Sequence, residues 1–510
     1  MIQYPLHNHP TLRTLLLCAL YAFLLLFFLS PDSYIRDIFG HFDTACFFMC
    51  GKAWMNGMIP YVDFTDSKGP LLWLIYGIGY LLNKHSFVGV FWISIIVYTI
   101  VFYLAYKISR LFLEPRAAAL CVAALAEVMF FDLFHCEIRS EDFCFPFMML
   151  SLYGLCRIIL EKDMPRRTLF WFNFALGISF MACLLIKWND GVMIGAPMLV
   201  SLGFAIKRKM SGTCIGGMLA GAIVLALPFL VYFLAFADFD AFIREYFVNT
   251  LLTMNGRTSA LDALTFNLAM IEREKFTLVL LVGMLLFIWR HKFGVWLLLC
   301  FLFFRVCIGN CGWYYYTSLS PFGIFLFIAI VSFIVEKLPV LLRLTPLWCV
   351  LAGIFVMVTN QRVIKLVDQR YAPIRQESYQ AAYVMAQIKK PKVFWYHAGN
   401  DCLGIPADAL PACLYFVGQA GSTEEMVKAR EEALKSGVAD FVIVHGMYPD
   451  ELQERSDDVA AVGYVRYAII QRVWGGTSVA LYGRPGLKLP PPDFHVSQWD
   501  VWLKRNIFGI

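Results

Sequence analysis

Long apolar runs restrict the fold of this chain more than any other feature. About eleven of them occur before residue 361, near 12–30, 87–109, 117–135, 143–160, 169–187, 191–206, 214–236, 276–290, 293–308, 317–335 and 346–360. Runs of roughly 15–23 apolar residues match the hydrocarbon thickness of a bilayer when coiled as α-helices. Of the 510 residues, 60% are hydrophobic and 16% charged, more apolar surface than a soluble core can hide. Lipid offers no hydrogen bonds, so each span must satisfy its own backbone, and a helix does so. The alternating polarity of a barrel strand is absent. The expected fold is a polytopic α-helical membrane protein.

Charge sets the expected topology. The formal net charge is +6. The basic residues gather in short loops: Lys107/Arg110/Arg116, Arg166/Arg167, Lys207/Arg208/Lys209, Arg290/His291/Lys292 and Lys337/Arg343. That pattern follows the positive-inside rule rather than nucleic-acid binding. With all of these loops in the cytoplasm, the N-terminus lies inside and the C-terminal part outside. The first span lacks the usual cleavage site and reads as a retained signal anchor. Most of the fifteen cysteines fall inside apolar runs, where they act as small hydrophobes. Cys402 and Cys413 lie in the polar tail and could pair in an oxidising compartment.

The run 71–82 is too short to span. Counting it as a span also breaks the alternation of basic loops. Residues 31–86 therefore read as one external loop holding an interfacial or re-entrant helix, with Pro70 in its first turn. The same topology puts 135–142, Lys187-Trp188-Asn189-Asp190, 237–275 and 309–316 on the outer face. Beyond residue 360 the pattern changes. Apolar strands at 393–396, 441–444 and 478–482 and an amphipathic helix at 424–436 predict a small extracytoplasmic α/β domain over 361–510. It carries no GxGxxG or P-loop.

Several polar residues on the outer face are candidates for chemistry, each with a structural alternative. Asp43 precedes an apolar helical run. It reads either as a general base, half-shielded from water, or as a helix N-cap. Asp63, Asp66 and Lys68 close the same loop. Asp66-Ser67-Lys68 reads as a local ion pair, and Lys68 also suits a lipid phosphate. Glu137, Arg139, Glu141 and Asp142 form a second cluster, where capping competes with a site and the Arg139 guanidinium suits phosphate. Glu127 lies inside a span, where an ionisable group suggests function. Lys187 and Arg305, near the ends of spans, read as snorkelling cations or phosphate ligands. Trp313-Tyr314-Tyr315-Tyr316 reads as an aromatic belt or a sugar-stacking surface.

Taken together, these stretches resemble the GT-C superfamily of integral-membrane glycosyltransferases. The resemblance is to the bacterial branch related to protein mannosyltransferases and aminoarabinose transferases, and it covers about residues 1–360. Its first part is the run from Asp43 to Lys52, then Asn56-Gly57-Met58-Ile59-Pro60-Tyr61-Val62-Asp63 and Asp66-Ser67-Lys68-Gly69-Pro70-Leu71-Leu72. Arg139-Ser140-Glu141-Asp142 resembles the family's second acidic site, with Ser140 where Thr is usual. Lys187 and Tyr314-Tyr315-Tyr316 also fit.

The resemblance implies that Asp43 is the catalytic carboxylate and that Glu141 or Asp142 is the second. It implies Lys68, Arg139 and Lys187 as ligands of the donor phosphate, with Asp63, Asp66, Tyr314 and Tyr315 lining the substrate. The reaction implied is inverting transfer of a sugar from a polyprenyl-phosphate donor to a hydroxyl of a glycan, lipid or protein acceptor. It takes place at the outer face of the inner membrane, in contact with membrane lipid. No cofactor is required by the motifs, and a divalent metal stays open because only some relatives use one. The competing class is a transporter or lipid flippase, for which paired repeats and mid-membrane helix breaks are lacking.

Overall fold

In a computed structural model, the described residues are 12–30, 32–33, 42–130, 139–250, 271–308, 313–337, 339–355, 358, 381–396, 403–418, 422–446, 448–471 and 478–489. Glu137 and Cys402 fall outside them. The chain divides into two compact units, each discontinuous in sequence. The first takes residues 1–30, 94–232 and 257–361, and the second takes 31–93, 233–256 and 362–510.

The expected spans are helices. Seven described helices are long and apolar enough to cross a membrane. Six are α1 (Leu12–Leu29), α4 (Val88–Ser109), α6 (Ser140–Leu160), α7 (Arg166–Ile186), α8 (Trp188–Lys207) and α9 (Ser211–Ala235), and the seventh runs from Tyr315 to Lys337. The seventh starts in 3₁₀ form over Trp313–Phe322 before Gly323–Lys337 continues as α-helix. The other expected spans appear as α5 (Pro115–Phe130), Ile271–Arg290, Gly294–Ile308 and Leu342–Phe355. Many large apolar side chains of α1 and α9 are exposed, such as Leu16, Leu20, Leu219 and Leu234. Lipid is the solvent that such surfaces require.

The second unit opens with two short helices, α2 (Phe42–Met55) and α3 (Pro70–Leu82). Pro70 stands in the first turn of α3, where its missing N–H costs nothing. The two helices meet backbone to backbone. A Cβ on Gly51 would fall 2.4 Å from the Gly77 nitrogen, so only glycine permits that approach. Between them the chain turns at Gly57 and at Tyr61, both with positive φ. Asp63 Oδ2 accepts the Ile59 N–H at 2.7 Å and closes the second turn.

The polar tail forms a five-stranded sheet in the order β2-β1-β3-β5-β4. Its strands are β1 (Lys392–Tyr396), β2 (Leu410–Pro411), β3 (Phe441–Gly446), β4 (Val465–Gln471) and β5 (Ser478–Gly483). β2, β1 and β3 run parallel, while β5 and β4 are antiparallel to their neighbours. Helices Glu424–Lys435 and Pro449–Ala461 complete this α/β layer. Cys413 carries a free thiol, against the disulfide considered from the sequence.

Tail and loop are tied together within this unit. The Lys52 ammonium donates to the Gly404 carbonyl at 3.2 Å, and the Tyr80 hydroxyl donates to Asp408 Oδ1 at 3.1 Å. The Thr65 N–H donates to the Leu414 carbonyl at 2.9 Å. Glu245, on the π-helical turn Ile243–Asn249, accepts from the Tyr415 hydroxyl at 3.0 Å.

Candidate active site

Two groups of charged residues occupy the two units, and each is described within its own unit. In the second unit, Asp43 lies in the first turn of α2 rather than before it, where the helix dipole favours a carboxylate. Its side chain is half-buried. Asp66 is buried, and its Oδ2 has no hydrogen-bond partner. Burial pushes the Asp66 carboxyl above the usual range; Lys68 opposes the shift and Asp43 adds to it. Asp43, Asp66 and Lys68 are therefore close enough to feel one another. Lys68 Nζ donates to Ser67 Oγ at 2.9 Å and stands 5.5 Å from the centre of the Phe47 ring.

Tyr61 holds this loop. It is fully buried against Trp73, Phe233, Phe242 and Tyr246. Its hydroxyl donates to the Lys68 carbonyl at 3.1 Å, which fixes the backbone from which Lys68 projects. Asp63, by contrast, is committed to the turn it closes.

The first unit gathers the second group where α6 and α8 begin. Arg139 is the N-cap of α6, and Lys187 links the end of α7 to the start of α8. The Lys187 ammonium forms an ion pair with Glu141, and both are buried. The Ser140 hydroxyl donates to the other Glu141 oxygen at 2.9 Å. Asp142 accepts the Arg139 backbone N–H at 2.8 Å and also the Tyr98 hydroxyl. Capping, one of the two sequence readings, is thus what Asp142 does.

Lys187 and Arg305 are buried rather than snorkelling. Consecutive tyrosines cover them. Lys187 Nζ lies 3.6 Å from the centre of the Tyr315 ring, and the Arg305 guanidinium lies 5.0 Å from that of Tyr316. Cation–π contact compensates part of the desolvation of each charge. Tyr314 lies in the same 3₁₀ segment; its side chain is outside the described residues. Glu127, on α5, has a buried Oε1 with no hydrogen-bond partner.

One member of this group was not singled out from the sequence. Asp190, in the first turn of α8, is fully buried and accepts from the Ser318 hydroxyl at 3.3 Å. Its Oδ2 has no hydrogen-bond partner. The polar run Lys187-Trp188-Asn189-Asp190 was the signal that contained it. Among the described residues, no three His, Cys, Asp or Glu side chains are grouped as metal ligands.

Residues 67–232 match the family model described as dolichyl-phosphate-mannose-protein mannosyltransferase. That segment contains Lys68, Arg139, Glu141, Asp142 and Lys187, and begins after Asp43 and Asp66. The fold is similar to that of ArnT from Cupriavidus metallidurans bound to undecaprenyl phosphate. The TM-score is 0.58 at 13% identity, covering 92% of this chain and 97% of that one. The chain shares the fold of ArnT. The apo state of the same ArnT gives a TM-score of 0.55 at 13% identity, with the same 92% and 97% coverage. No curated protein sequence matches. Within this fold, the first-loop residues quoted above sit in the second unit, and Arg139-Ser140-Glu141-Asp142 stands at the head of α6.

Proposed function

We propose that this protein transfers a sugar from a polyprenyl-phosphate donor to an acceptor hydroxyl on a glycan, lipid or protein. In this reading the reaction runs at the outer face of the inner membrane. The N-terminus is then cytoplasmic and the tail domain extracytoplasmic. The observation that carries the reading is the grouping of Asp43, Asp66 and Lys68 in the first loop of an ArnT-like fold.

Asp43 acts as general base. It takes the proton of the acceptor hydroxyl as the acceptor oxygen bonds to the anomeric carbon. The carbon–oxygen bond to phosphate breaks, and its electron pair leaves with the phosphate. Direct displacement inverts the anomeric centre. Lys68, Arg139 and Lys187 are the cations assigned to the phosphate, whose charge grows in the transition state. Asp66 holds a proton more readily than an ordinary aspartate, because of its burial. Glu141 is the second carboxylate, and Asp66, Tyr314 and Tyr315 line the substrate, while Asp63 holds the loop through the turn it closes.

The test is donor turnover by purified protein with a panel of radiolabelled polyprenyl-phosphate sugars and membrane extract as acceptor source. Asp43→Asn should lower turnover by roughly 10²–10⁴-fold while donor still binds. Wild-type turnover in Asp43→Asn would remove Asp43 from the mechanism. Failure of the wild-type protein to bind any donor would sink the transferase reading itself.

A further inference from the structure

The buried oxygen of Asp190 stands outside the mechanism above. One of its carboxylate oxygens receives the Ser318 hydroxyl and the other receives nothing. A fully buried carboxylate with an unused oxygen is a poor stabilising device, since the unmet acceptor keeps its desolvation cost. Its surroundings give it another use. Asp190 is one turn from Lys187, whose carbonyl accepts the Asp190 N–H at 3.0 Å. Lys187 at the N-cap and Asp190 in the first turn are three apart on α8, a spacing that makes their side chains neighbours, and the Lys187 ammonium, paired with Glu141, also attracts the Asp190 charge. Tyr315 and Ser318, which touch Lys187 and Asp190 respectively, come from the same 3₁₀ segment. Where α6 and α8 begin, two cations, Arg139 and Lys187, stand with three carboxyl groups, Glu141, Asp142 and Asp190.

A cation paired with one carboxylate and facing the charge of a second binds phosphate more weakly than one with a single counter-ion. We propose that Asp190 is a positioning residue that weakens the hold of Lys187 on phosphate, so that the polyprenyl phosphate left after transfer departs. The proposal rests on the assignment of Lys187 to the donor phosphate. It makes Asp190 a determinant of product release rather than of bond breaking.

The experiment uses the full-length protein in nanodiscs, with farnesyl phosphate as the probe and KM and kcat read separately. Asp190→Asn keeps the shape and removes the charge. Between neighbours on one helix face in a screened protein interior, that change should tighten farnesyl phosphate binding about tenfold. KM for donor and kcat should fall together as release becomes limiting. Asp190→Glu should return the wild-type affinity. The effect of Asp190→Asn should vanish in a Lys187→Gln background. If Asp190→Asn does not fold, Asp190→Ser removes the same charge with less bulk and is read in the same way.

Unchanged or weaker binding in the neutral variant overturns the proposal. When Lys187→Gln still loses affinity in that case, the phosphate role of Lys187 survives without it. A Lys187→Gln protein that binds farnesyl phosphate like the wild type overturns both.

Discussion

Lys52 offers the sharpest physical test of the fold. Its side chain is fully buried in α2, and its ammonium donates to one carbonyl, that of Gly404. Burial lowers its pKa from 10.5 to about 7, against the weaker opposing pull of Asp408. At about 1.36 kcal/mol per pH unit, that gap corresponds to about 5 kcal/mol. The unfolded chain keeps this proton until pH nears the ordinary value, whereas the folded chain gives it up near 7. Between those limits the unfolded state binds more protons, so stability rises with pH. Below the folded value the full cost of the buried charge is present.

Lys52→Met keeps the length of the side chain and deletes the charge. It also removes one of two hydrogen bonds to the Gly404 carbonyl, which keeps the Ala409 N–H at 2.9 Å, at a cost of about 1 kcal/mol. The variant should therefore be more stable than wild type by about 4 kcal/mol at pH 6. By pH 10 that advantage should be gone or reversed. The assay is the unfolding midpoint of both proteins in the same detergent across that range. A difference between them that does not change with pH would refute the reasoning, because it would mean that Lys52 titrates as an ordinary lysine.

Other consequences can be measured in the same preparations. Glu141→Gln strands the buried Lys187 charge and should cost about 3–5 kcal/mol; Glu141→Gln with Lys187→Met should melt well above the single variant. Gly51→Ala puts a methyl group 2.4 Å from the Gly77 nitrogen and 2.6 Å from the Trp73 carbonyl. Forcing α2 from α3 should cost about 1–3 kcal/mol, read as a lower melting midpoint. Tyr61→Phe keeps the ring and removes the hydrogen bond to the Lys68 carbonyl. It should cost about 1 kcal/mol and raise the KM for donor more than it lowers kcat. Equal KM values would show that Tyr61 supports the core alone.

The sequence revealed the parts of this protein that a solvent dictates. Lipid demands length and apolarity, so spans such as 87–109 and 214–236 were legible to within a few residues. The short helix at 71–82 was legible because Pro70 marks its start and its length forbids spanning. Strands β1, β3 and β5 are nearly unbroken apolar runs. β4 was missed because Arg466, Tyr467 and Gln471 interrupt its pattern, and β2 because it is two residues long. Pro449–Ala461 was missed although Pro449 and its acidic first turn mark a helix start. The site was less legible. Carboxylates at helix starts look alike whether they cap, pair or react. Only the packed structure separates Asp142, which caps, from Glu141, which pairs with Lys187. Nothing local shows that 233–256 belongs with the first loop and the tail, since that grouping is made by contacts distant in sequence.

The order of synthesis gives the discontinuous second unit a further consequence. Lys52 and its acceptor Gly404 are 352 residues apart, and Tyr80 and its acceptor Asp408 are 328 apart. At about 5–20 residues per second on the ribosome, α2 waits about 20–70 seconds for its last partners. During that interval the amine that ends fully buried is still in water and charged. The apolar body of α3 waits beside it. Completion of this unit is thus a late, non-local event in the life of a nascent chain. Ribosomes stalled before residue 403 should display Lys52 to amine-reactive reagents, and released full-length protein should hide it.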